Sequence, residues 1–374
     1  MNKTELKNFA VSARRELLER VALRAKIFGI DKNSELNMEE QFGQMIVNGI
    51  GYPIQMKSAF QSLASQLKIK GYEQLLEEVA YTWFNRIIAI RYMEVHEYLP
   101  SRVNILSSKT GKAEPDILTM FETIDLDVDI PTIKDYIHQG KTEEAYRKLF
   151  IAQCNALNKI LPFLFEKIND YTEILLPDFL LDSESVISKI TKNEVLTESF
   201  QEVEVIGWLY QFYNSEPKDK VFTSLKKNKK IEKYDIPAAT QLFTPKWIVQ
   251  YMVENSLGQL WLETNPKSII KKEMEYYIKQ PTQEEYILED IEYKNINIEE
   301  IKIFDPCVGS GHILVYAFDL LYRMYEETGY PSSEIPRLII EKNLFGLDID
   351  ERATQLATFA LLMKAREKSR RIFK

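Results

Sequence analysis

Asp305, Gly309 and Gly311 are the residues whose types and spacing point most directly to chemistry. They lie in the run Phe304-Asp305-Pro306-Cys307-Val308-Gly309-Ser310-Gly311-His312. Glycine lets a backbone adopt positive φ and come close to a ligand. The N–H groups of such a bend, and the start of the helix after it, suit a polar or anionic group. An aspartate there can accept hydrogen bonds from a ligand's ammonium group or from ordered water. A second acidic run, Gly346-Leu347-Asp348-Ile349-Asp350, follows. At the end of a neighbouring strand, one of its carboxylates sits beside the glycine bend, where it can bind ribose hydroxyls. The alternative is that Asp348 or Asp350 caps the next helix. We assign the cap to Asp350 and the ribose to Asp348. A lone Gly-x-Gly is weak, because many turns contain one; Asp-Pro, Gly-x-Gly and a strand–turn–helix setting together are far more specific.

The elements that must position these residues follow from the pattern around them. A short strand is expected over Ile301 to Phe304, a helix from about His312 to Glu327, a second strand over Leu344 to Leu347, and a last helix from Glu351. In that last helix Ala353, Leu356, Ala357, Ala360, Leu361 and Lys364 fall three or four apart and form one stripe. Strand, helix, strand, helix with short loops is the start of a doubly wound α/β sheet. Upstream, Phe243-Thr244-Pro245-Lys246-Trp247 opens a helix that runs through Val253. Thr244 suits its N-cap and Pro245 its first position. Pro266 to Asn297 is charged and irregular and reads as a surface excursion. Earlier residues read as mostly helical, with stretches at Glu5–Phe28 (Gly29 as stop), Tyr72–Leu99 (ended by Pro100), Thr142–Ile168 and Glu202–Tyr213. Three domains are therefore expected: a helical one over 1–225, a basic linker over 226–238, and a cofactor-binding part over 239–374. The lysines of Lys226-Lys227-Asn228-Lys229-Lys230 read either as a solvated linker or as a loop that displaces counterions from DNA phosphates.

Composition excludes several classes. The 374 residues carry 48 Lys and Arg against 56 Asp and Glu, a net charge of −8, which gives no global support for nucleic-acid binding. Hydrophobic residues make up 45%, a globular balance. Two cysteines and three histidines are too few for a disulfide framework or a Cys/His metal centre, so no metal is expected. The charged N-terminus lacks a signal-peptide core and no run is long enough to span a bilayer, so a cytoplasmic protein with no membrane partner is expected. Pro177-Asp178 with Glu184-Ser185-Val186 lacks the lysine of a nuclease site. Cys307 reads as packing, and Trp83, Tyr92 and Phe212 as core. A nicotinamide dehydrogenase would want a third glycine and an acid about 20 residues on, and has neither here. A non-enzymatic helical interaction module with a residual cofactor motif stays as the alternative.

Taken with Gln241-Leu242-Phe243-Thr244-Pro245, the glycine bend and the Asp348 run resemble the cofactor half of amino-methylating DNA methyltransferases of the gamma arrangement. Asn2 to Ile30, Trp83-Phe84-Asn85-Arg86, and Gly207-Trp208-Leu209-Tyr210-Gln211-Phe212-Tyr213 narrow the resemblance to the PglX (BrxX) family, adenine-specific methyltransferases of BREX phage-defence systems. The resemblance implies an α/β chain: a helical N-terminal domain, then the first part of a Rossmann-like S-adenosylmethionine-dependent methyltransferase domain. It implies Thr244 and Pro245 against the methionine part of S-adenosylmethionine. Asp305, Pro306, Gly309 and Gly311 would line the loop beneath it, and Asp348 would hold its ribose. His312 departs from the Asn or aromatic residue of the family and reads as a helix-start residue at the pocket rim. Implied partners are double-stranded DNA and other BREX proteins. The family's catalytic Asn/Ser/Asp-Pro-Pro-Tyr/Phe motif is missing, since no Pro-Pro pair occurs. The chain is thus expected to be a truncated part that holds the methyl donor, is inactive alone, and leaves apolar sheet faces uncovered.

Overall fold

Asn2 starts the first helix by accepting hydrogen bonds from the Thr4 and Glu5 amides at 3.1 and 3.2 Å. That helix, α1 (Lys3–Ile27), buries Leu6, Phe9, Ala10, Ala13, Leu17 and Val21, the stripe its spacing foretells. The computed structural model describes residues 1–32, 36–165, 171–279 and 296–373. It separates into two compact units, Met1–Val205 and Ile206–Lys374.

In the first unit, Gly29 at φ +75° follows α1. A three-stranded antiparallel sheet comes next: β1 (Met38–Gln41), β2 (Gln44–Val47) and β3 (Ile50–Pro53), in the order β1-β2-β3. Sequence reading expected no strands here. The turns are Phe42-Gly43 and Asn48-Gly49, with both residues of each at positive φ. That is the hairpin geometry that matches strand twist.

Two helices follow, α2 (Lys57–Lys70) and α3 (Tyr72–Val95). Nearly every side chain of α3 from Val79 to Glu94 is buried, so it forms the axis of this unit. Its end differs from expectation: it stops at Val95, five residues short of Pro100. The cause is Glu94, a buried carboxylate that accepts from the amides of Ile105 (2.5 Å) and Leu106 (2.6 Å) and from the Ser107 hydroxyl. Those bonds draw the following chain back over the helix end, and Glu97 turns it at φ +55°. The next long helix, α4 (Thr142–Leu157), also ends short of Ile168; residues 166–170 lie outside the described residues.

The second unit takes in most of α5 (Glu204–Tyr213). The stretch 226–238, expected as a linker, lies inside this unit, and the helix Ile236–Thr240 that begins within it packs on the helix Ser215–Leu225 before it. Next comes α6 (Lys246–Val253). Of the expected excursion Pro266–Asn297, residues 280–295 lie outside the described residues. Then come β4 (Ile303–Asp305), α7 (His312–Glu327), β5 (Leu344–Gly346) and α8 (Glu351–Lys368). β4 and β5 pair in parallel, with Asp305 opposite Gly346. A parallel pair joined through a helix is the strand–helix–strand unit the sequence predicts.

The core of this unit gathers Val249, Val253, Trp261, Phe318, Leu321 and Met324. Each such side chain contributes about 1.5–3 kcal/mol of burial. Asn343 ties the entry of β4 to this core. Its amide donates to the Ile298 and Ile301 carbonyls at 2.8 Å, and its oxygen accepts from the Tyr325 hydroxyl. Elsewhere apolar side chains lie open: Phe304 is 61% exposed and Ile349 69%. No helix among the described residues is long and apolar enough to cross a membrane.

Candidate functional site

The glycine bend is fixed before any ligand arrives. Asp305 ends β4, and its Oδ1 accepts from the Cys307 amide at 3.0 Å. The Val308 amide donates to the Leu347 carbonyl, and the Leu347 amide to the Asp305 carbonyl. The Gly309 amide donates to Asp348 Oδ2 at 2.8 Å, and the Gly311 amide to the Val308 carbonyl. This corrects the expectation of free loop amides: those of Cys307, Val308, Gly309 and Gly311 are all spent inside the protein. What the bend offers instead is room and a carboxylate. Gly309 (φ +53°) has nothing among the described residues within 4 Å of where a Cβ would stand. Asp305 Oδ2 is buried and has no hydrogen-bond partner among the described residues. A buried unpaired carboxylate oxygen is costly and calls for a donor.

Asp348 accepts twice, from Gly309 and, through Oδ1, from the Asp350 amide at 2.9 Å. Two carboxylate oxygens have about four lone-pair positions, so capacity for a hydroxyl remains. Asp350 is the cap of α8, accepting from the Arg352 amide at 3.1 Å, the capping role the sequence assigned to it.

The Thr-Pro element reaches the same place. His312 is the first residue of α7, and its Nδ1 lies 2.9 Å from the Thr244 carbonyl oxygen. Its ring stacks on Phe243 at 4.3 Å and 8°. Pro245, rather than Thr244, takes the N-cap position of α6, at φ −54° and ψ 140°, and no side chain caps the helix. The Thr244 carbonyl is drawn to His312 and the Phe243 amide to Gln211 Oε1 at 2.9 Å. This holds the step extended one residue longer than its local chemistry suggests. Thr244, Asp305, Gly309, Gly311 and Asp348 are thus linked through one network, while Pro245 and Pro306 stand exposed beside it.

Sequence reading assigned no role here to Gly207, Tyr210 and Gln211 of α5. A Cβ on Gly207 would fall 2.7 Å from Ser310 Oγ, and the Tyr210 hydroxyl donates to Asp350 Oδ2 at 3.1 Å. Burial and the Asp350 carboxylate push the Tyr210 phenol far above its ordinary range, so it stays a donor. The glycine inside an aromatic helix was the one available signal.

Cys307 is exposed on the bend, whereas Cys154 is buried, and burial pushes its thiol up to about 12. Ellman's reagent is expected to find one thiol in the native protein and both after denaturation. Two fast-reacting thiols in the native state would contradict this placement.

No family model matches the sequence. The chain is 42% identical over 390 residues to the adenine-specific methyltransferase BrxX of Escherichia coli O9:H4 (strain HS), with all of this chain aligned to 31% of that protein. It is 40% identical over 411 residues to the adenine-specific methyltransferase PglX of Lacticaseibacillus casei (strain Zhang), again with all of this chain, against 33% of that protein. From its first residue to its last, the chain is a relative of the BrxX and PglX adenine-specific methyltransferases, and it spans about a third of their length.

Proposed function

We propose that residues 239–374 hold S-adenosylmethionine, and that the longer protein to which such a chain corresponds transfers methyl to N6 of adenine in double-stranded DNA, marking host DNA in phage defence. In this reading β4, α7, β5 and α8 begin a Rossmann-like sheet. Thr244 and Pro245 lie against the methionine part. Asp305, Pro306, Gly309 and Gly311 form the floor, where the unpaired Asp305 oxygen meets a donor group of the ligand. Asp348 accepts from the ribose. When bound, S-adenosylmethionine supplies a methyl group activated on sulfur. The exposed lysines from Lys226 to Lys230 suit contact with DNA phosphates, and other BREX proteins are the expected partners.

The adenine amine is a poor nucleophile, and enzymes that act on it flip the base and orient the amine. With no Pro-Pro pair in this sequence, the polypeptide holds the donor without orienting the acceptor. It is expected to transfer no methyl group by itself.

One observation carries the reading: the Gly309–Asp348 bond and the His312–Thr244 bond bring three distant sequence elements to one bend. Calorimetry of the whole chain with S-adenosylmethionine tests it. Uptake is expected, with a loss of about ten- to a hundredfold for Asp348→Ala, since a hydrogen bond to a charged group is worth ~1.5–3 kcal/mol. A wild-type chain that takes up no S-adenosylmethionine would end this reading.

A further inference from the structure

Helix α5 touches Phe243, Ser310 and Asp350, beside the three motif elements of the site, without belonging to any motif that reads as cofactor binding. Gly207 brings its backbone onto the Phe243 ring and Ser310 of the bend. Gln211 holds the Phe243 amide. Tyr210 begins a chain of bonds that ends at the glycine bend. Its hydroxyl donates to Asp350 Oδ2 at 3.1 Å, the Asp350 amide donates to Asp348 Oδ1 at 2.9 Å, and Asp348 Oδ2 accepts from Gly309 at 2.8 Å. Tyr210 and Asp350 are both only 5% exposed, so water does not readily replace the hydroxyl.

We propose that Tyr210 is a positioning residue for the methyl-donor site, setting the Asp348 carboxylate through Asp350, and that α5 is a fourth element of that site. The inference rests on the reading that Asp348 meets the donor's ribose. Arg352 holds both oxygens of Asp350, Oδ1 through its amide and Nε at 3.1 and 2.9 Å, and Oδ2, the oxygen Tyr210 meets, through Nη2 at 3.3 Å. Removing the Tyr210 hydroxyl leaves Oδ2 only the longer Arg352 bond, so the carboxylate follows Arg352 alone and the Asp350 turn can rotate. The Asp348 carboxylate then shifts relative to the bend, and the loss falls on the hydroxyls it faces.

The test is calorimetry of the whole chain with S-adenosylhomocysteine and with its 2′-deoxy and 3′-deoxy analogues. Wild type is expected to bind the parent compound and to lose about tenfold or more on removal of a ribose hydroxyl, a loss of the size of one hydrogen bond. Tyr210→Phe keeps the ring and its packing. It is expected to bind the parent about tenfold more weakly and to discriminate little against the deoxy analogues, a readout that general loosening would not move. The double variant Tyr210→Phe/Asp348→Ala is expected to bind no worse than Asp348→Ala, because both act on one contact. Additive losses, or an unchanged Tyr210→Phe with full ribose discrimination, overturn the proposal while leaving the donor site standing. Absence of binding to wild type overturns both.

Discussion

Gly311→Ala is expected to destabilise the second unit by about 2–4 kcal/mol and, under the proposed function, to abolish measurable uptake of S-adenosylmethionine. Gly311 sits at φ +84° and ψ 11° as the cap of α7, a conformation that costs an L-residue ~1–2 kcal/mol. Its Cβ would also stand 3.0 Å from both Cα and Cβ of Ala357. Ala357 is 3% exposed on α8, and helix backbone cannot swing aside as a side chain can. Crowding a packed contact adds ~1–3 kcal/mol. Either α8 backs away, carrying its Asp350 cap, or the bend lifts; both disturb Asp348. Gly309→Ala gives the contrast. It too has positive φ, but nothing stands near its missing Cβ, so only the backbone strain of ~1 kcal/mol is expected. Three of the four tryptophans, Trp208, Trp247 and Trp261, lie in the second unit, so fluorescence-monitored denaturation reads it directly. Equal midpoints for the two alanine variants would refute the role given to Ala357.

What the sequence made legible was what local chemistry decides. The start of α7 at His312 and the start of α8 behind Asp350 follow from a glycine turn and an aspartate cap, each acting over a few residues. The early end of α3 was not legible, because Glu94 gathers amides from residues 105 and 106, beyond any local pattern. The same holds for the loop amides. The Gly309 amide goes to an aspartate 39 positions away and the Val308 amide to the Leu347 carbonyl, partners no local pattern shows. The hairpin at residues 38–53 had a usable signal in Asn48-Gly49, but four-residue strands give too little alternation to register against helical surroundings. At the site, the motif residues could be named, whereas the helix that braces them could not, because its contacts are made by a glycine, a tyrosine hydroxyl and a glutamine that fall in no motif.

Gly207 carries the second large effect, and its sign runs against helix propensity. Inside a helix, alanine in place of glycine ordinarily stabilises by up to ~1 kcal/mol. At Gly207 the new methyl would stand 2.0 Å from Cε2 and 2.6 Å from Cδ2 of Phe243, so the ring must leave. The ring is 6% exposed, stacked on His312, and met edge-on by Trp208 at 4.6 Å. Losing a buried Phe contact outright costs ~3–5 kcal/mol. After the propensity gain, Gly207→Ala is expected to lose about 2–4 kcal/mol. Under the proposed function, binding of S-adenosylmethionine falls as well, because the Phe243 amide and the Thr244 carbonyl move with the ring. Relieving the crowding from the other side separates this cause from any general fragility of α5. The pair Gly207→Ala/Phe243→Leu, with a smaller side chain under the new methyl, is expected to be more stable than Gly207→Ala alone, although Phe243→Leu by itself destabilises the wild-type chain. If the two losses simply add, the Gly207–Phe243 contact is not what fixes the Thr-Pro element on the bend.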